Sequence, residues 1–100
     1  MKVIILFEDA KDADPDTRKR HMGAHLAFLE RHRDAIEAAG PLSDPDGAGR
    51  DGAWVVEAED EAAIEALIRE DPFWPTGLRA GYTIIPWRQV FAGGVRLIDP

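Results

Sequence analysis

Three imidazoles crowd one short stretch of this chain. HMGAHLAFLERH, residues 21–32, holds His21, His25 and His32, every histidine in the 100 residues. Imidazole exchanges a proton near neutral pH and is also a common metal ligand, so two chemistries come into question. For metal, His21 and His25 stand at i and i+4, a spacing by which two imidazoles on a helix can meet one ion. The zincin arrangement also needs a glutamate beside the first histidine, and residue 22 is Met. No third ligand is evident on another segment, so no metal is expected. For acid–base chemistry, one imidazole nitrogen must be held by a partner so that the other is free to act. The ordinary alternative is a packed or solvated polar group on a helix flank.

On a helix advancing about 100° per residue, the three histidines fall within a sector of about 40°, with Phe28 beside them. His25 lies nearest an apolar stripe of Met22, Leu29 and Ile36, so partial burial is expected there, while His21 leans toward water.

Other groups could complete a site, and each has a plain structural use as well. Arg18 and Arg20 can clamp a carboxylate or phenolate, or simply pair with the many acids nearby. Gly40 and Pro41 can let backbone approach a ligand, or only terminate a helix. Ser43 can donate a hydrogen bond, or be a loop serine. Phe73, Trp74 and Trp87 can line an aromatic-accepting pocket, or pack a thin core. Asp71 precedes Pro72, where an aspartate commonly bonds nearby backbone amides. The glycines of GAGRDG lack the spacing and strand-to-helix context of a phosphate loop or dinucleotide fingerprint.

These residues sit on a recognisable series of elements. VIILF, residues 3–7, reads as a strand apolar on both faces. Asp14, Asp16 and Thr17 are candidate N-caps for a helix carrying Met22, Leu26, Leu29, Arg33 and Ile36 at spacings of three and four. That helix is expected to run to about Ala39, stopped by Gly40 and Pro41. PLSDPDGAGRDG reads as loop with a short strand near Leu42, and residues 53–59 as the next strand. Residues 60–70 read as a second helix, capped by Asp60 and ending near Asp71. Residues 82–91 read as the last strand, where Pro86 demands an edge position or a bulge.

The order β, α, β, β, α, β is the ferredoxin-like split βαβ pattern of the α+β class: an antiparallel sheet with two helices on one face. Two helices cover only one face, yet the first strand is apolar on both. A homodimer packed sheet to sheet supplies the missing layer.

One domain suits 100 residues; we place it at residues 1–92, with 93–100 as a C-terminal tail. The formal charge of −7 makes nucleic acid an unsuitable partner. No apolar run approaches the roughly 20 residues that span a bilayer, so no membrane partner and a cytoplasmic location are expected. The absence of cysteine excludes disulfides, thiolate catalysis and Cys-ligated metals.

The apolar first strand, AHLAFL in the first helix, AAGPL after it, and DPFWPTGL followed by IIPWRQVF together resemble the YCII-related family, of the dimeric α+β barrel class. The resemblance implies a paired histidine and aspartate in a cleft, at His25 of AHL and Asp71 of DPF. It assigns no role to His21 or His32. Neighbouring families of that class isomerise, eliminate from or oxygenate small cyclic or aromatic compounds. The expected function is thus a small cofactor-independent enzyme. His25 would act as general base or acid and Asp71 would orient it, in a lyase- or isomerase-type step on a small-molecule ligand, aromatic or anionic. The alternative is a non-catalytic dimer that binds a small metabolite, in which the two residues are only a buried hydrogen-bonded pair.

Overall fold

The computed structural model describes all 100 residues. Strand β1 (Lys2–Asp9) is followed by helix α1 (Thr17–Arg31), strands β2 (Ile36–Pro41) and β3 (Gly52–Glu57), helix α2 (Glu61–Glu70) and strand β4 (Arg79–Pro86). The four strands form an antiparallel sheet in the order β2-β3-β1-β4. This is the ferredoxin-like α+β arrangement, with both helices on one face.

Alternation along the strands sorts side chains between the two faces. Val3, Ile5 and Phe7 of β1 and Trp54 and Val56 of β3 are buried beneath the helices, against Phe28 of α1 and Ile64, Leu67 and Ile68 of α2. Helix α2 starts where expected: the Asp60 side chain accepts the amide of Ala63 and so satisfies one of the open N-terminal donors.

Helix α1 departs from the sequence expectation in two ways. It ends at Arg31 rather than near Ala39, and residues 36–41 form β2. The amides of Ala35 and Ile36 turn back to the His32 carbonyl. The chain then pairs with β3, placing Ala39 opposite Trp54 and Pro41 opposite Gly52. Ile36 fits the helical spacing, yet its buried side chain belongs to a strand; Ala38, Ala39 and Gly40 are poor strand formers, and ladder pairing overrides their preference. Gly40 and Pro41 thus end a strand, not a helix.

The helix is also rolled about its axis. Its buried residues are Thr17, His25 and Phe28, with Phe28 at 1% exposure, while Leu26, which shares the three-and-four spacing of Met22 and Leu29, is 48% exposed. The inward line is therefore the histidine sector itself.

Strand β4 also runs earlier than expected, over Arg79–Pro86 instead of residues 82–91. It lies at a sheet edge, where a proline without an N–H is tolerated. Beyond it, Phe91–Ala92 (β5) and Val95–Arg96 (β6) form a small hairpin. Gly93 and Gly94 between them both have positive φ, as a two-residue hairpin turn requires. Val90, Phe91, Val95, Leu97 and Ile98 of this arm are exposed.

The second sheet face has no cover within the chain. Ile4 and Leu6 of β1 and Val55 of β3 are only half-buried on it, and Ile85, paired with Ile4, is exposed. No helix is long and apolar enough to cross a membrane.

The rolled orientation of α1 is tested by alanine substitution. Phe28→Ala should cost about 3–5 kcal/mol in urea unfolding, and Leu26→Ala less than about 1 kcal/mol. The reverse order would return the helix to its sequence-expected face.

Candidate functional site

Asp71 is the C-cap of α2. Its amide still bonds the Leu67 carbonyl, but its backbone has turned extended ahead of Pro72, as the residue before proline prefers. The turn bends the side chain inward, where Oδ1 accepts the Phe73 amide. That is the turn chemistry an Asp-Pro step ordinarily supplies. The same carboxylate reaches further. Oδ1 lies 2.8 Å from His25 Nδ1 and Oδ2 accepts from Arg79 Nη1 at 2.6 Å. One fully buried carboxylate thus joins α1, α2 and β4.

Aromatic rings fix the two partners. The His25 ring stacks on Phe73 with centroids 4.2 Å apart, and the Arg79 guanidinium lies 3.9 Å from the centre of the Phe7 ring. Phe7 in turn meets Trp54 edge-on at 4.9 Å. His25, Phe7, Trp54 and Arg79 border a cavity of about 130 Å³ between α1 and the ends of β1–β3. An engineered cavity of about 150 Å³ admits benzene, so this one is on the scale of a single ring. His25 Nε2 has no partner in the protein, and no buried side-chain nitrogen or oxygen is left unpaired. Nε2 therefore opens to the cavity that His25 lines.

Burial alone would raise the Asp71 carboxyl. The His25 hydrogen bond, the Phe73 amide and the charge of Arg79 together outweigh it and hold the carboxyl below its ordinary value of 3.8. Burial acts on Arg79 in the opposite sense and lowers it, with Asp71 opposing; a guanidinium stays charged regardless. An ionised Asp71 can only accept, so Nδ1 of His25 carries the proton and a neutral ring keeps its lone pair on Nε2.

Among the other residues singled out from sequence, Arg18, Gly40 and Pro41 also line the cavity, and Phe73 lies fully buried beneath His25. Arg18 is paired with Asp9 at 2.7 Å. Arg20, Ser43 and Trp87 lie outside the cavity. Arg20 is exposed and bonds Asp14, Ser43 sits exposed in the loop after β2, and Trp87 follows the end of β4. His21 borders a separate groove with Thr17 and Pro72, and His32 is paired with Glu70. No group of three or more His, Asp or Glu side chains is arranged to hold a metal ion.

Arg79 was not singled out from sequence, because an arginine opening a strand looks like any solvated charge; neither were Phe7 and Trp54, read only as strand residues. The signal was faint but present: Arg79 lies eight residues beyond Asp71, across the turn-forming PFWPTG.

Fold and cluster together define a small ferredoxin-like protein with a shared buried carboxylate beside a ring-sized cavity. The family model of the YCII-related domain matches residues 1–88, and the chain belongs to that family. Among solved structures, 5-chloro-2-hydroxyhydroquinone dehydrochlorinase (TftG) from Burkholderia phenoliruptrix AC1100, in complex with 2,5-dihydroxybenzoquinone, is similar at 26% identity and TM-score 0.69. The match covers 88% of this chain and 94% of that one. A protein of Arabidopsis thaliana is similar in fold alone, at 15% identity and TM-score 0.50, over 92% of this chain and 97% of that one. A dimeric ferredoxin-like protein of unknown function from Bacteroides fragilis NCTC 9343 matches at 15% identity and TM-score 0.49, over 84% and 90%. None of the curated proteins is significantly similar in sequence.

Removing one partner of a buried ion pair strands the other charge, so Asp71→Ala should lose about 3–5 kcal/mol of stability. The wild-type contribution also has a defined pH window. The folded carboxyl binds its proton less readily than the unfolded one, so the stabilisation is complete above about pH 4 and is lost as pH falls through the folded-state value. The Tm gap between wild type and Asp71→Asn should therefore shrink as pH falls below about 4. A gap that widens below about pH 4 contradicts this assignment.

Proposed function

We propose that the protein is a lyase-type enzyme acting on a small ring compound, with His25 as general base and acid and Asp71 as the group that orients it. The observation that carries this reading is the 2.8 Å bond between His25 Nδ1 and a fully buried Asp71, with Nε2 open to a cavity of single-ring size. The similarity to a dehydrochlorinase of a hydroxylated aromatic supports it from a second direction.

In such a step Nε2 takes a proton from the substrate while a leaving group departs from carbon with its electron pair. The net change is loss of HX, with no oxidation and no cofactor. Asp71 stabilises the imidazolium that forms, and general catalysis of this type contributes about 10²–10⁴-fold. Phe73 beneath the ring holds its plane, and Gly40 and Pro41 form backbone wall. Arg18, held by Asp9, adds a cation at the rim.

The catalytic unit is a homodimer. Ile4, Leu6, Val55 and Ile85 form an apolar sheet face that two helices cannot also cover, and a second copy placed sheet to sheet buries it. The apolar arm, residues 90–98, reaches beyond the sheet and has the same need for cover.

Anaerobic incubation with chlorinated hydroxyhydroquinones and measurement of released chloride tests the reaction. Release should be enzyme-dependent and fall by about 10²–10⁴-fold in His25→Ala. If wild type binds the ring without accelerating release, the protein is a binding module; equal release by wild type and His25→Ala removes the role of His25. For the assembly, Ile85→Asp should convert the dimer to a folded monomer in analytical ultracentrifugation. A wild type that sediments as a monomer at micromolar concentration would refute the sheet-to-sheet pairing.

A further inference from the structure

Arg79 has more hydrogen-bonding capacity than Asp71 uses. A guanidinium carries five N–H donors in a planar fork, and only Nη1 has an acceptor in the protein. The side chain is 5% exposed, yet no buried polar atom is left unpaired. The donors on Nε and Nη2 therefore give onto the cavity that Arg79 lines. They cannot easily swing elsewhere. The guanidinium sits over Phe7 and within 5.3 Å and 5.4 Å of the Trp54 and Phe73 ring centres, and its Asp71 bond fixes the remaining rotation.

Charge points the same way. Asp9, the carboxylate lining the cavity, is already taken by Arg18. Asp71 is shared between Arg79 and His25. Both carboxylates at the site are thus already met, and neither is free to take the donors that Arg79 has left. Donors of this kind discriminate strongly, because a ring that covers them without a matching acceptor leaves them unpaired.

We infer that Arg79 is the specificity-determining residue of the cavity: its free donors receive an ionised oxygen on a single-ring ligand next to His25 Nε2, selecting phenolates or enolates over uncharged rings of the same size. This rests on the proposed reading of the cavity as a site for a ring compound, but not on the elimination step.

Two ring probes test it on the full chain at neutral pH, by quenching of tryptophan fluorescence with Trp54 in the cavity wall. The first is 2,5-dihydroxybenzoquinone, ionised at that pH. The second is 2,5-dimethylbenzoquinone, in which uncharged methyls replace the oxygens at similar size. Wild type should bind the ionised ring about 10–100-fold more tightly, the worth of a charge-assisted hydrogen bond. Arg79→Gln should erase that preference and leave the dimethyl ring within about threefold of wild type, and Arg79→Lys should keep part of it; a purely structural arginine would weaken both rings together. Equal affinity of wild type for the two rings overturns the inference, as does a preference that survives in Arg79→Gln. If Arg79→Gln does not fold by circular dichroism, the wild-type ratio and Arg79→Lys still decide. Preference for the ionised ring without halide release refutes elimination alone, whereas halide release without the preference refutes the role of Arg79 alone.

Discussion

A single carboxylate, sealed from water and shared between an imidazole and a guanidinium, is the constraint around which the rest of this molecule is arranged. Asp71 has no exposure, so its charge must be met within the protein. Three elements meet it: α1 sends His25, β4 sends Arg79, and the turn after α2 supplies the Phe73 amide. The bonds are as much structural as chemical, because they tie the middle of α1, the C-terminal end of α2 and an edge strand to one point. The same bonds decide which atoms are left over. His25 keeps one nitrogen and Arg79 keeps its remaining donors, and both sets face a cavity rather than the core.

The aromatic shell explains why that arrangement holds still. Phe73 lies under the imidazole, Phe7 lies under the guanidinium, and Trp54 closes the space between sheet and helix. Rings can stack on a cation or an imidazole without offering a competing hydrogen bond, so they rigidify the polar groups and leave their free donors and lone pair available. The roll of α1 belongs to the same logic. Turning His25 and Phe28 inward leaves Leu26 half-exposed, at a cost in apolar burial that the Asp71 bond and the Phe28 contacts offset.

The uncovered sheet face is the other consequence of a thin chain. A hundred residues furnish one four-stranded sheet and two helices, and both helices lie on the same side. The cavity lies on the helix side of that sheet, opposite the uncovered apolar face.

Much of this was legible before any coordinates. The β-branched runs marked three of the four strands of the sheet, Asp60 and Pro72 bracketed α2 to within a residue, and the order of elements implied the ferredoxin-like arrangement. Those features follow from local preferences: period-two alternation, a capping oxygen, a proline without a donor. The boundary between α1 and β2 was not legible, because Ile36 satisfies helical spacing and only the ladder with β3 makes it a strand residue. The inward face of α1 was legible only in part: the wheel put His25 beside the apolar stripe as partly buried, but did not show that His25 and Phe28 would turn inward while Leu26 stays exposed, which the Asp71 carboxylate at the end of another helix decides. Residue types and spacing thus determined which elements form and which side chains are able to move protons. Long-range pairing decided which of them meet: a hydrogen bond between positions 25 and 71, and an ion pair closing over the turn to Arg79, depend on packing that no local pattern encodes.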